Sequence, residues 1–180
     1  MATEICIIDL DGTLSKYPGS DFRSLFTKYL EFESKCKNIK TSAKFSAEIM
    51  INRYNKDELE TIKNNVKYLH SKYGQLLILS LNYKAVAVKY LKMLDVIDIF
   101  DIDKSKFRED LSDNPRKEDI WMSIVQKYKK ILYIDDDLSI LKSLKKMASF
   151  GVSYIHMDDT WMGNINIEDY IKKSLSSSAF

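Results

Sequence analysis

Two groups of aspartates stand at the ends of apolar runs. Asp9-Leu10-Asp11-Gly12-Thr13 follows Ile5-Cys6-Ile7-Ile8, and Asp135-Asp136-Asp137 follows Ile131-Leu132-Tyr133-Ile134. If both runs are strands of one parallel sheet, their ends share an edge. As neighbours they bring up to five carboxylates into one crevice. Two unit charges about 4 Å apart repel by roughly 4 kcal/mol at an effective dielectric near 20. A fold does not gather such a cluster for stability; a divalent cation, raised pKa values or a bound lysine must offset it. Hard oxygen donors with room for retained waters suit Mg2+. Each piece alone has a plainer reading. Asp-Gly after a strand is a common turn, and Asp135-Asp136-Asp137 can cap a helix that begins at Leu138. Their joint occurrence at two strand ends favours a site.

The elements that must position these acids are legible in the hydropathy. Five apolar runs are candidate strands: residues 5–8, 76–79, 96–102, 131–134 and 152–155. Four lack clear polar alternation, as expected of parallel strands covered on both faces. Helical spacing recurs between them. It places Val86, Tyr90, Leu91 and Leu94 on one stripe, Ile120, Trp121, Ile124, Val125 and Tyr128 on a second, and Leu138, Leu141, Leu144 and Met147 on a third. Single helices alternating with strands give right-handed crossovers, hence a doubly wound α/β fold with a parallel sheet of about five strands. One connection is too long for a single crossover: residues 9–75. It carries amphipathic patterns at 21–37 and 43–54, then a helix at 57–72 leading back to the sheet. We read one domain, with a core of residues 1–14 and 57–180 and a small helical insertion over 15–56. That insertion sits over the sheet edge where open α/β folds bind ligands.

Composition narrows the class further. The chain has 180 residues, 45% hydrophobic and 30% charged, with a formal net charge of +2. Such a chain buries a core without a disulfide or metal staple. It is not a disordered or multi-span membrane protein, and its charge balance predicts no strong field toward nucleic acid or membranes. Two cysteines make no disulfide framework, and Cys6 reads as a buried small hydrophobe. Neither a secretory leader nor a span of about 20 apolar residues is legible, so a cytoplasmic protein with no membrane partner is expected.

Asp9-Leu10-Asp11-Gly12-Thr13 after four apolar residues resembles the first motif of the haloacid dehalogenase (HAD) superfamily. The resemblance continues through Ser80 in Leu79-Ser80-Leu81-Asn82, Lys117 at a helix start, and Asp135-Asp136 after the later strand. It implies a phosphatase with Asp9 as nucleophile forming an aspartyl-phosphate and Asp11 as general acid and base. It implies Mg2+ as cofactor, held by Asp9, the backbone carbonyl of Asp11 and Asp135, with Asp136 holding a bound water or steadying Lys117. Ser80, Lys117 and Thr13 would bind the phosphoryl oxygens. Arg116 and Lys106 compete with Lys117 for its role. Asp137 reads as a helix cap, and His70 and His156 as structural or surface residues.

Other classes fit less well. Lys130 to Ile140 also looks like the opening of a receiver domain, but the 43 residues after Asp137 hold one clear strand. A catalytically silent binding module is a further reading, against which the retained acids and Lys117 speak. A small phosphorylated metabolite or nucleotide is the expected substrate, with a phosphoprotein or nucleic-acid end as the alternative. Aromatics of the insertion (among them Tyr17, Phe22, Phe26 and Tyr54) either line a pocket or pack the inserted helices. Its lysines 28, 35, 37, 40 and 44 read as a solvated face.

Overall fold

Four short apolar runs pair side by side in the computed structural model, which describes residues 4–16, 39–110, 116–146 and 151–177. They are β1 (Glu4–Ile8), β2 (Leu76–Ile78), β3 (Lys130–Asp135) and β4 (Val152–His156). All pair in parallel, in the order β2-β1-β3-β4. The helices are α1 (Ile39–Asn52), α2 (Lys56–Tyr73), α3 (Lys84–Met93), α4 (Lys117–Val125), α5 (Leu138–Lys146) and α6 (Ile167–Ser177). The expected insertion helix at 21–37 lies outside the described residues.

Strand alternation splits the core into two layers. Cys6, Ile8, Leu76, Ile78, Leu132, Ile134 and Ile155 face one side, where they meet residues of α1, α2, α3 and α6 such as Met50, Val66, Tyr90 and Ile171. Ile5, Ile7, Leu77, Leu79, Ile131 and Tyr133 face the other, against Trp121 and Ile124 of α4 and Leu141 and Leu144 of α5. Helices on both faces are what unalternated strands require. The α2 start is written in Asn55-Lys56-Asp57-Glu58. The Asn55 side chain accepts from the Glu58 N–H, and the Glu58 carboxylate accepts from the Asn55 N–H, a reciprocal cap. Ala47 and Met50 of α1 are fully buried in the larger core, and α1 packs against α3.

The run at 96–102 differs from expectation. It forms a 3-10 turn, Ile97–Ile99, and one isolated bridge, Leu76↔Phe100. Asp101 then turns the chain: its carboxylate accepts from the Lys104 N–H and its carbonyl from the Ser105 N–H. A second bridge, Leu79↔Lys106, follows. Two single bridges thus cover the outer edge of β2 in place of a fifth regular strand among the described residues. The apolar side chains at Ile97, Ile99 and Ile102 still pack on the core, which is why the run reads as a strand by hydropathy alone.

Candidate active site

Parallel register fixes the centre of the site. Ile7 pairs with Tyr133 and Ile8 with Ile134, and the Asp9 N–H donates to the Ile134 carbonyl at 2.9 Å. Asp9 and Asp135 therefore leave the ends of adjacent strands side by side. Period-two alternation puts both on the face of Ile5, Ile7, Ile131 and Tyr133, the face covered by α4. The first residue of α4 is Lys117, whose ammonium bridges Asp9 Oδ1 at 2.8 Å and Asp135 Oδ2 at 2.6 Å. All three side chains are buried. Arg116 is exposed, and Lys106 bridges Leu79 at the far side of β2.

The remaining aspartates take separate roles. Asp135 Oδ1 accepts from the Asp137 N–H at 2.9 Å, and Tyr133 donates its hydroxyl to Asp135 Oδ2 in a short hydrogen bond. Asp137 is exposed and accepts from the Ser139 hydroxyl and from the N–H groups of Ser139 and Ile140, so it caps α5. Burial works to raise its carboxyl, but these bonds outweigh that and hold it below its ordinary range. Asp136 lies over Gly12. A Cβ at Gly12 would come within 2.2 Å of Asp136 Oδ2, and Gly12 has φ +79°. Glycine at that turn is what lets the two acidic strand ends close on each other. Asp11 turns its carboxylate away, to accept from Asn82 Nδ2 at 3.0 Å.

Ser80 and Thr13 complete the rim. The Leu79 N–H donates to the Ile8 carbonyl, so Ser80 leaves the sheet beside the Asp9 turn. Both hydroxyls are fully buried. Ser80 Oγ accepts from the Asn82 N–H at 3.1 Å. Thr13 Oγ1 has no partner among the described residues. A buried hydroxyl left so costs about 1–3 kcal/mol, which a bound anion or water would offset.

Charge and burial here oppose each other. Burial holds the Asp9 carboxyl well above its ordinary range; Lys117 pulls it down, and the charges of Asp135 and Asp11 push it further up. Burial pushes Asp11 up to about 6, against the Asn82 hydrogen bond and Lys117. Asp136 is also raised, by burial and then by Asp135. Burial alone would lower Lys117, but Asp9 and Asp135 outweigh it and hold the ammonium well above its ordinary range. One cation faces two buried carboxylates, so the cluster is short of positive charge.

That shortage is the test of a metal. Asp9, Asp135 and Asp136 each offer a carboxylate oxygen, and these lie within 4.8 Å of one another. Three hard oxygens around a positively deficient centre fit Mg2+. The Asp11 side chain is outside this group. Two site residues were not singled out from sequence, Asn82 and Tyr133. Tyr133 had a usable signal, since it stands two residues before Asp135 in one strand and must share its face. Asn82 had none beyond its place after a strand-end serine.

No protein-family model and no curated protein sequence matches the chain. Solved structures do. The HAD domain of effector protein Lem4 from Legionella pneumophila superposes with a TM-score of 0.57 at 16% identity, over 98% of this chain and 96% of that one. An inactive mutant of the same domain gives 0.59 at 14% identity, over 99% and 96%. The chain therefore has a HAD-like α/β fold along nearly its whole length. Among the described residues no helix is long and apolar enough to cross a membrane.

Proposed function

We propose that this protein is a Mg2+-dependent phosphomonoester hydrolase that works through an aspartyl-phosphate on Asp9. The observation that carries the reading is the bridge of Lys117 between Asp9 and Asp135, with Asp136 closing an oxygen cluster beside it. A buried lysine between two carboxylates keeps Asp9 in place, and it offers positive charge where a phosphoryl group would gather negative charge. Bound Mg2+ would be held by Asp9, Asp135 and Asp136, and would shield the charge between the nucleophile and the phosphate. Asp9 attacks phosphorus. Asp11 gives a proton to the leaving oxygen and later takes one from the attacking water. A carboxyl pushed up to about 6 is suited to both tasks near neutral pH. Ser80 and Thr13 donate to the phosphoryl oxygens.

A small phosphorylated metabolite or nucleotide is the substrate class we assign, with a phosphoprotein or nucleic-acid end as the competitor. The setting we assign is the cytoplasm, where the free, buried Cys6 stays reduced. Hydrolysis of an aryl phosphate, measured with Mg2+, with EDTA and with Asp9→Asn, tests the reading. Turnover that needs Mg2+ and disappears in Asp9→Asn is the expected result. Turnover that survives either change, or no turnover together with no Mg2+ binding by calorimetry, overturns it in favour of a silent binding module.

A further inference from the structure

We infer that Asn82 is a positioning residue: it aims Asp11 at the leaving group and keeps its carboxylate out of the metal cluster. This rests on the reading of Asp11 as the acid and base. Asn82 lies between β2 and α3 and is 4% exposed. All four of its polar groups are engaged. Its N–H donates to Ser80 Oγ at 3.1 Å, and its carbonyl accepts from the Arg108 N–H at 3.0 Å. Its side-chain Oδ1 accepts from the Tyr83 N–H at 2.8 Å, and Nδ2 donates to Asp11 Oδ1 at 3.0 Å. The Tyr83 bond decides which way the amide faces. A main-chain N–H needs an acceptor, so the atom beside it is oxygen, and the NH2 must point at Asp11.

Two consequences follow for the chemistry. Carboxylate oxygens of Asp9, Asp135 and Asp136 fall within one small group, and Asp11 is not in it, although it stands only two residues from Asp9. A carboxylate free to rotate there is drawn to a divalent cation; the Asn82 amide holds it back for proton transfer. Because Oδ1 accepts from Asn82, the transferable proton sits on Oδ2. In the first step an Asp9 oxygen bonds to phosphorus, the bond from phosphorus to the leaving oxygen breaks, and the Asp11 Oδ2 proton passes to that oxygen. In the second, a water oxygen bonds to phosphorus, the bond to Asp9 breaks, and Asp11 takes the water's proton. Asn82 also orients Ser80. The serine oxygen accepts from the Asn82 N–H, so its O–H remains to donate to the phosphoryl group.

The test is kcat/KM with Mg2+ for a series of aryl phosphates of graded leaving-group basicity. It compares the wild type, Asn82→Ala, Asp11→Asn and the double variant. A positioning role predicts a roughly 10–100-fold loss in Asn82→Ala on phenyl phosphate, shrinking to about threefold or less on p-nitrophenyl phosphate, whose leaving group needs little proton donation. In the Asp11→Asn background, Asn82→Ala should cost no more than about twofold. Asn82→Asp keeps the shape and the acceptor for Tyr83 but removes the donor, and should reproduce the graded loss even if Asn82→Ala does not fold. An equal loss across all leaving groups, or a full additional loss on top of Asp11→Asn, overturns the inference while the wild type remains active. A wild type without Mg2+-dependent turnover overturns the functional reading itself, and the inference with it.

Discussion

The β1–β3 ladder carries a lysine–carboxylate contact at each end, and the two could hardly differ more. At the entering end Lys130 pairs with Glu4 at 3.1 Å, directly across the register, with side chains 60% and 40% exposed. At the leaving end Lys117 bridges Asp9 and Asp135, all three side chains at most 6% exposed. The chemistry of the pairs is the same. Water screens the first, and holding two mobile side chains together cancels most of its attraction. The second has lost its water, so neither partner can be removed without stranding a buried charge. The lesson is that the same contact is weak at one edge of the sheet and costly to break at the other, with dehydration as the difference.

The largest break in this comparison is expected from Lys117→Met. Asp9 and Asp135 would then face each other without a cation. We expect a loss of about 3–5 kcal/mol in metal-free denaturation at neutral pH and a roughly 100–1000-fold fall in kcat. An unchanged melting curve would place Lys117 with the exposed pair.

Next comes pH. Asp11 has its folded-state pKa raised to about 6 by burial. Its share of stability is fully present below about pH 4 and is lost as pH rises through about 6. That share reaches at most about 3 kcal/mol by linkage. Metal-free protein should therefore melt lower at pH 7.5 than at pH 4.5, and Mg2+ should recover most of the difference at the higher pH. Chemical denaturation across that range with EDTA and with Mg2+ checks it.

A smaller effect is expected at the turn between the two acidic ends. Gly12→Ala forces a left-handed backbone on alanine and drives its Cβ against Asp136. About 1–2 kcal/mol of stability is lost, and Asp136 is displaced from the oxygen cluster. Calorimetry should show Mg2+ binding weakened by roughly tenfold or more.

The smallest effect belongs to the wet edge. Lys130→Ala should change stability by less than about 0.5 kcal/mol and leave kcat/KM at the wild-type value. A loss above about 1 kcal/mol would show that exposure does not separate the two pairs.

The dry edge was the more legible of the two in sequence, because its signal is chemical and local. An acidic turn after an apolar run is visible wherever it falls, and register then brings Asp9 and Asp135 together from residues far apart in the chain. Lys117 could be placed at a helix start, but its reach to both carboxylates depends on α4 crossing that one face of the sheet. The parallel, helix-covered sheet followed from the alternating elements and right-handed crossovers, whereas the order β2-β1-β3-β4 came only from the pairing of the strands. Residues 96–102 misled because their apolar side chains do pack inward, while the N–H groups of Ile99 and Phe100 are taken by a 3-10 turn and only one bridge, to Leu76, joins the run to β2. Asn82 was hidden for the opposite reason. Its role lies in four hydrogen bonds, two of them through its main chain, and side-chain type does not announce those.

The central claim is that Asp9 carries the phosphoryl group. Rapid acid quench during turnover of an aryl phosphate with Mg2+, followed by peptide mass analysis, tests it most directly. The account predicts a transient phosphoryl adduct on the peptide containing Asp9, on the aspartate itself, absent with EDTA and absent in Asp9→Asn. Turnover with no adduct at any quench time, or an adduct on another residue, would contradict it.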